Sequence, residues 1–281
     1  MTAIAGKRAL ITGAARGMGL GMAQRFAARG AEVVLVDLDE ERLRTAEAEL
    51  RHAGHSVHAF PCNLARREAI EDLRRDVLVR VGPIDILVNN AGVVTGGSYE
   101  SIAAARDQAM LDVNVASVHW MTKAFLPDLI QSRGGHLVQM ASAAGLLGVP
   151  GQALYCATKW FVIGLSEALR AEWLEQGHDR IHLTIACPGY VDTGMFEGVH
   201  APRLMPMLHA DRLAENIVDA VEENRLYVLE PALVKLTPLL HAALPRGIFD
   251  RVADALGIYG SMRSWTGRSA DEVARGAPGR K

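Results

Sequence analysis

Thr12-Gly13-Ala14-Ala15-Arg16-Gly17-Met18-Gly19 decides how this chain is read. The stretch follows a short strand-like run, Arg8–Thr12, and leads into helical spacing over Gly19–Arg29. Glycines in such a turn let the backbone bend tightly and approach a pyrophosphate, while the helix start offers free N–H groups and partial positive charge. Any strand-to-helix turn can hold glycines, so the weight comes from context. The next strand-like run, Glu32–Asp37, ends on a carboxylate. A carboxylate there accepts hydrogen bonds from an adenosine ribose diol and repels a 2′-phosphate. Asp37 therefore points to NAD rather than NADP, with Arg16 in the glycine turn as the opposing signal; the plain alternative for Asp37 is a cap for the helix beginning at Glu40-Glu41.

Outward from this turn, two periods alternate. Strand-like runs occur at Arg8–Thr12, Glu32–Asp37, Val57–Pro61, Ile84–Asn89, His136–Ala141, Ile181–Cys187 and Leu226–Glu230. Between them lie helical stretches such as Gly19–Arg29, Glu40–His52, Arg66–Val81, Ala153–Glu175 and Asp211–Glu223. Strands alternating with helices predict an α/β fold, a doubly wound parallel sheet with helices on both faces. Val33-Val34-Leu35-Val36 has the unbroken apolar character of a strand buried on both sides. No repeat or linker divides the 281 residues, and one domain is expected. Residues 1–230 are read as its cofactor-binding and catalytic part. Residues 231–281 are read as a C-terminal apolar helical extension, interrupted at Pro238 and Pro245, and an Arg/Gly-rich tail frayed from Ser264 onward. Packing within the protein or its oligomer is the plain reading of the apolar part, with covering a substrate pocket or touching a membrane surface as the alternatives.

A net charge of -2 and an aromatic content of 5% give no reason to expect nucleic acid as a partner. Cys62, Cys156 and Cys187 are odd in number and widely spaced, which argues against a disulfide framework or zinc site and suits a reducing cytoplasm. No apolar stretch reaches the roughly 18 residues of a membrane span, and Met1–Lys7 is too short for a signal peptide. A cytoplasmic protein without an integral membrane segment is expected. His52, His55 and His58 straddle a helix end and a strand, so they read as surface residues rather than metal ligands. Cys156 reads as a small buried packing residue.

Tyr155 and Lys159 stand four residues apart at the start of a helical stretch, on one face. A tyrosine with an ordinary pKa of about 10 is a poor base at neutral pH. A cation about 4 Å away in an intermediate dielectric is worth about 4 kcal/mol, enough to lower that pKa by up to about three units before desolvation is counted. The pair alone is weak evidence. Its company is Ser142, just past the strand His136–Ala141, where a hydroxyl can hold a substrate oxygen as charge develops on it. Asn89-Asn90-Ala91-Gly92 likewise ends a strand and offers small residues for close approach to a cofactor.

Together these motifs resemble the short-chain dehydrogenase/reductase family over roughly Lys7 to Glu230. The resemblance rests on the TGxxxGxG turn, Asn89-Asn90-Ala91-Gly92, Ser142, Tyr155 with Lys159, and Pro188-Gly189 followed by Thr193. It implies a Rossmann-like sheet of about seven strands in the order 3-2-1-4-5-6-7 and a homodimer or homotetramer. It implies Tyr155 as general acid/base in an NAD(P)-dependent interconversion of an alcohol and a ketone or aldehyde. Lys159 would also bind the nicotinamide ribose, Ser142 would orient the substrate oxygen, and Asn114 would hold a water linking the lysine to solvent. The implied cofactor contacts are Gly13, Arg16, Gly17, Met18, Gly19, Asp37, Asn63, Leu64, Asn90, Ala91, Gly92, Pro188, Gly189, Val191 and Thr193, besides Tyr155 and Lys159. Asn63 stands where the family more often has Asp, and its amide can still meet the adenine.

The corresponding stretch in the family closes over the substrate; here it runs from Met195 to Leu208, with Phe196, Val199, Leu204, Met205 and Met207. Leu146, Leu147 and Val149 are expected to face the same space. Such a wall suits a lipophilic secondary alcohol, the plain alternative being core packing of a lid helix. Two other functions stand beside a dehydrogenase: another NAD(P)-linked reaction such as epimerisation or dehydration, and a non-catalytic cofactor-binding regulator. The intact set Asn114, Ser142, Tyr155 and Lys159 argues against the regulator, since binding alone needs no catalytic acid. The family pattern for enoyl reduction spaces its Tyr and Lys differently.

Overall fold

Seven strands form one sheet in the computed structural model, which describes residues 1–267. They are β1 (Arg8–Thr12), β2 (Glu32–Asp37), β3 (Val57–Pro61), β4 (Ile86–Asn89), β5 (Gly135–Met140), β6 (Ile181–Pro188) and β7 (Tyr227–Glu230). Their order is 3-2-1-4-5-6-7, as expected, and every neighbouring pair is parallel. The order reverses between β1 and β4. Both strands end on the same edge there, leaving a crevice in which ligands of open α/β sheets bind.

Period-two alternation along each strand divides the core. Ala9, Ile11, Val33, Leu35, Ile86 and Val88 face one side, where α1 (Gly17–Ala28), α2 (Glu40–His52) and α7 (Ala210–Glu222) pack. Leu10, Val34, Val36, Leu87, Leu137 and Ile185 face the other, against α3 (Arg67–Arg80), α5 (Ser117–Gln131) and α6 (Ala153–Glu175). Burial on both faces is why the middles of β1, β2 and β4 are unbroken apolar runs, while the buried His136, Gln139 and Thr184 of β5 and β6 are hydrogen-bonded. Outside the sheet, Arg29 near the end of α1 reaches Glu215, Asp219 and Glu222 of α7 and ties those helices together.

Between β4 and β5 the chain adds α4 (Ala104–Leu111), which runs through a π-helical turn at Asp112–Ala116 into α5. The π turn widens the helix by one residue and leaves Asn114 buried. The prolines of the extension start helices instead of interrupting them. Pro238 lies in the first turn of α8 (Thr237–Ala243), and Pro245 is the residue before α9 (Arg246–Ala255). Both are positions where proline's missing N–H costs no hydrogen bond. Fraying does not begin at Ser264. The Trp265 indole donates to the Met195 carbonyl at 3.1 Å and the Thr266 N–H to the Glu197 carbonyl at 3.0 Å. The rest of the expected tail, residues 268–281, lies outside the described residues. No helix among the described residues is long and apolar enough to cross a membrane.

Candidate active site

The glycine turn is shaped by two close approaches. Gly13 adopts φ 66°, and a Cβ there would stand 3.0 Å from the Ala91 Cα. A Cβ on Gly19 would stand 2.0 Å from the Gly13 carbonyl oxygen, so only glycine lets α1 start this close to β1. Thr12 locks the neighbouring loop, its hydroxyl donating to the Val88 carbonyl and accepting from the N–H groups of Asn90 and Ala91. The Asn90 amide returns a bond to the Thr12 carbonyl at 2.9 Å. Asn89 points the other way, into the sheet, to Thr122 and Gln139.

Asp37 stands at the end of β2 and is not the cap of α2. That cap is Asp39, whose carboxylate accepts from the Arg42 N–H. Asp37 accepts from the N–H groups of Ala15 and Asp39, both at 3.0 Å, which fixes its carboxylate against the glycine turn. These bonds leave the first-turn N–H groups of α1 without intrahelical partners, as at any helix start.

A cleft enclosing about 1330 Å³, partly open to solvent, runs along this edge of the sheet. Of the residues singled out in the sequence, Gly13, Arg16, Gly17, Met18, Gly19, Asp37, Asn63, Leu64, Asn90, Ala91, Gly92, Ser142, Tyr155, Lys159, Pro188, Gly189, Val191 and Thr193 all line it. Asn114 does not. It lies behind Gly92, its amide donating to the Val93 carbonyl and accepting from the Val93 N–H, each at 2.8 Å. A further bond of 3.2 Å reaches Thr158 on α6. The set fits a dinucleotide: a glycine-rich turn at one helix start, a fixed carboxylate beyond it, and a lysine and tyrosine at the far end.

Tyr155 and Lys159 sit on the first turns of α6, 5% and 6% exposed. The sequence argument from the lysine's charge does not hold in the ligand-free protein. Burial pushes the Tyr155 phenol up from its ordinary value, opposed by the Ser142 hydroxyl, and no contribution from Lys159 offsets it. The ammonium instead donates to the Met140 carbonyl at 2.7 Å and lies 5.7 Å from the centre of the Tyr155 ring. Burial pulls Lys159 down to about 8. Ser142, at the end of β5, donates to the Pro188 carbonyl and accepts from the Ala144 N–H, so its hydroxyl is held between two strand ends.

A second, apolar pocket, partly open to solvent, adjoins the cleft. Ser142, Tyr155, Gly189 and Phe196 line both spaces. Leu147, Val149, Phe196 and Met205 face the pocket as expected, but Leu146 packs beside the sheet, Leu204 is 76% exposed and Leu208 bridges to Val191. The stretch after Val191 is turns and loop, not a lid helix. Most of the far wall comes from residues that sequence reasoning left unassigned, including Leu233, Leu240, Phe249 and Leu256. The apolar spacing of 232–256 was the available signal. Thr12, Met140 and Thr158 were also missed, and a backbone carbonyl such as that of Met140 has no signature in sequence. Cys156 is a buried packing residue, and His58 pairs with Glu32 at 2.9 Å. Among the described residues no group of three or more His, Cys, Asp or Glu side chains is placed to hold a metal ion.

Comparison with known proteins agrees with this geometry. The family described as short chain dehydrogenase matches residues 7–203. Epidermal retinol dehydrogenase 2 of Mus musculus is 37% identical over 268 residues, covering 94% of this chain and 87% of that protein. Estradiol 17-beta-dehydrogenase 11 of Rattus norvegicus is 32% identical over 247 residues, covering 88% and 83%. Among solved structures, a short chain dehydrogenase/reductase from Burkholderia phymatum in complex with NAD superposes with a TM-score of 0.78 at 29% identity, covering 86% of this chain and 95% of that one. Further solved relatives are complexes with NADP.

Proposed function

We propose, for a chain that belongs to the short-chain dehydrogenase/reductase family and is an NAD(P)-dependent oxidoreductase of alcohols and carbonyls, that Tyr155 carries the proton in the oxidation of a lipophilic secondary alcohol. One observation carries the reading: Ser142 and Tyr155 line both the cleft and the apolar pocket, where a substrate oxygen meets a cofactor. When bound, the nicotinamide takes up or gives the hydride.

In the oxidative direction Tyr155 removes the hydroxyl proton, and in the reductive direction its phenol donates one to the carbonyl oxygen. Ser142 steadies that oxygen with its hydroxyl as negative charge develops. Lys159, 5.7 Å from the centre of the Tyr155 ring, would bind the ribose, and its ammonium would favour the phenolate once turned from the Met140 carbonyl. Asn114 holds the Val93 loop and Thr158 in register, which keeps α6 against the cleft. In the family Asn114 also holds a water beside the lysine. The turn Gly13–Gly19 would hold the pyrophosphate, with Asn63 and Leu64 toward the adenine, Asn90, Ala91 and Gly92 between, and Pro188, Gly189, Val191 and Thr193 toward the nicotinamide.

NAD is the preferred cofactor in this reading, because the Asp37 carboxylate, held by the Ala15 and Asp39 N–H groups, would accept from a ribose diol and repel a 2′-phosphate, against the opposing charge of Arg16. A lipophilic substrate is supported by the apolar wall and by the retinol and estradiol in the relatives' names. Three free buried thiols suit a cytoplasmic setting. A homodimer or homotetramer follows from the family, and half-exposed Trp160 on α6 offers apolar surface for it. Residues 231–267 serve the same domain by closing its pocket. The test is a panel of hydrophobic alcohols and ketones followed by cofactor absorbance, with light scattering on the same sample for its mass. Turnover of secondary alcohols with NAD is expected. No turnover, or a strong preference for NADP, would contradict it.

A further inference from the structure

Gln152 sits where a capping residue belongs, immediately before α6, yet its side chain makes no cap. Glutamine is not among the residues that cap helices well, and its backbone already carries the local bonds, to the Val149 carbonyl and from the Cys156 N–H. The side chain is 2% exposed, lines the apolar pocket, and its Nε2 finds no hydrogen-bond partner. Buried amides are almost always paired, because an unpaired one forfeits its bonds to water. An orphaned donor in an otherwise apolar pocket is a position that a ligand completes.

The other polar groups of the pocket are accounted for differently. The Tyr190 hydroxyl is taken by Ser261 at 2.7 Å, and Thr237, the first residue of α8, is only half-buried, so its hydroxyl is not an enclosed donor. Ser142 and Tyr155 serve the reacting oxygen on the proposed mechanism, and that oxygen has only two lone pairs to offer. A third donor on the same pocket wall therefore serves a different acceptor.

We infer that Gln152 is a specificity-determining residue that donates to a second oxygen of the substrate, so that the pocket selects a lipophilic alcohol or ketone carrying a further hydroxyl, carbonyl or ether oxygen over one whose remainder is hydrocarbon. The inference rests on the reading of this pocket as the substrate site. A site built to bond an oxygen discriminates strongly against the analogue lacking it, because the analogue leaves the buried donor unpaired.

The experiment uses two saturated steroids with the same skeleton, one with a hydroxyl and a methoxy group at opposite ends and one with the hydroxyl alone, so that neither carries a carbonyl that NADH could reduce. Their Kd values are measured by calorimetry on the NADH-loaded full chain, for wild type, Gln152→Leu and Gln152→Met. Wild type is expected to bind the hydroxy-ether at least about tenfold more tightly. Both variants are expected to bring the ratio close to one by weakening the hydroxy-ether alone. They should melt no lower than wild type, since an aliphatic side chain of similar size replaces an unpaired amide. Wild-type affinities within about threefold of each other, or a ratio that survives in both variants, would overturn the inference. Turnover is followed separately on the same samples. An intact binding ratio without turnover would support Gln152 and contradict the dehydrogenase reading, whereas turnover without the ratio would sink Gln152 alone.

Discussion

Tyr155 and Lys159 are the residues whose ionisation the fold alters most consequentially. Burial favours the neutral form of each: the phenol titrates above its ordinary range and the ammonium near 8. Alcohol oxidation needs the phenolate and ketone reduction the phenol. The oxidative kcat/KM is therefore expected to climb as pH rises into the alkaline range while the reductive kcat/KM does not, and parallel profiles would contradict the assignment. Lys159 also leaves a mark on stability. Its folded pKa lies below the ordinary 10.5, so between about 8 and 10.5 its unfolded form holds a proton that the folded one has released, and the Lys159 contribution to stability rises with pH across that window. The increment is about 3 kcal/mol. The urea midpoint of ligand-free wild type minus that of Lys159→Met should rise with pH across this window. The buried Cys62 and Cys187 thiols, pushed up to about 11 and about 12, act in the opposite direction but alike in both proteins. A difference that stays flat would contradict the lowered Lys159 pKa. The positions of Tyr155, Lys159 and Ser142 were legible in the sequence because spacing and strand ends fix them. Lys159's partner was not, because the Met140 carbonyl is offered by a backbone that any residue would supply.

At the level of elements, β1, the glycine turn and α1 form a unit that tolerates no side chain at Gly19. The Gly19→Ala variant is expected to lose cofactor binding, measured by NADH fluorescence, because its Cβ would enter the Gly13 carbonyl; unchanged binding would show that the turn yields. β1, β2 and β4 were easy to read because burial on both faces leaves their middles apolar. The helix pair around Asn114 was harder, since a π turn changes the phase of the apolar period midway. In the extension, Pro238 and Pro245 looked like breaks because a helix start and a helix interruption look alike until the neighbouring residues are placed. Phe249 on α9 is buried in the pocket wall. Phe249→Ala should lower stability by roughly 3 kcal/mol and raise KM for lipophilic alcohols with little change in kcat, as loss of uniform binding does. A fall in kcat alone would place Phe249 in the chemistry instead.

Across the molecule, a polar cleft built by the sheet edge and an apolar pocket completed by the C-terminal extension meet at Ser142, Tyr155, Gly189 and Phe196. The sheet half of that junction could be read from the sequence, because its residues sit at strand ends and in turns with fixed spacing. The extension half could not, since its apolar residues would serve equally well in a core or a subunit contact. A ligand that binds only the folded chain stabilises it, by about 2.7 kcal/mol at a hundredfold excess over Kd. That should raise Tm with NADH by roughly 5–10 °C for a domain of this size, and by less with NADPH. An equal or larger shift with NADPH would show that Arg16, not Asp37, sets the preference. The most direct test of the central claim is Tyr155→Phe, with NADH binding and secondary-alcohol oxidation measured on the same preparation. Removal of one hydroxyl should leave NADH affinity within a fewfold of wild type and lower kcat by at least about a hundredfold, the scale of a general acid–base contribution. Undiminished turnover would show that the proton travels by another route.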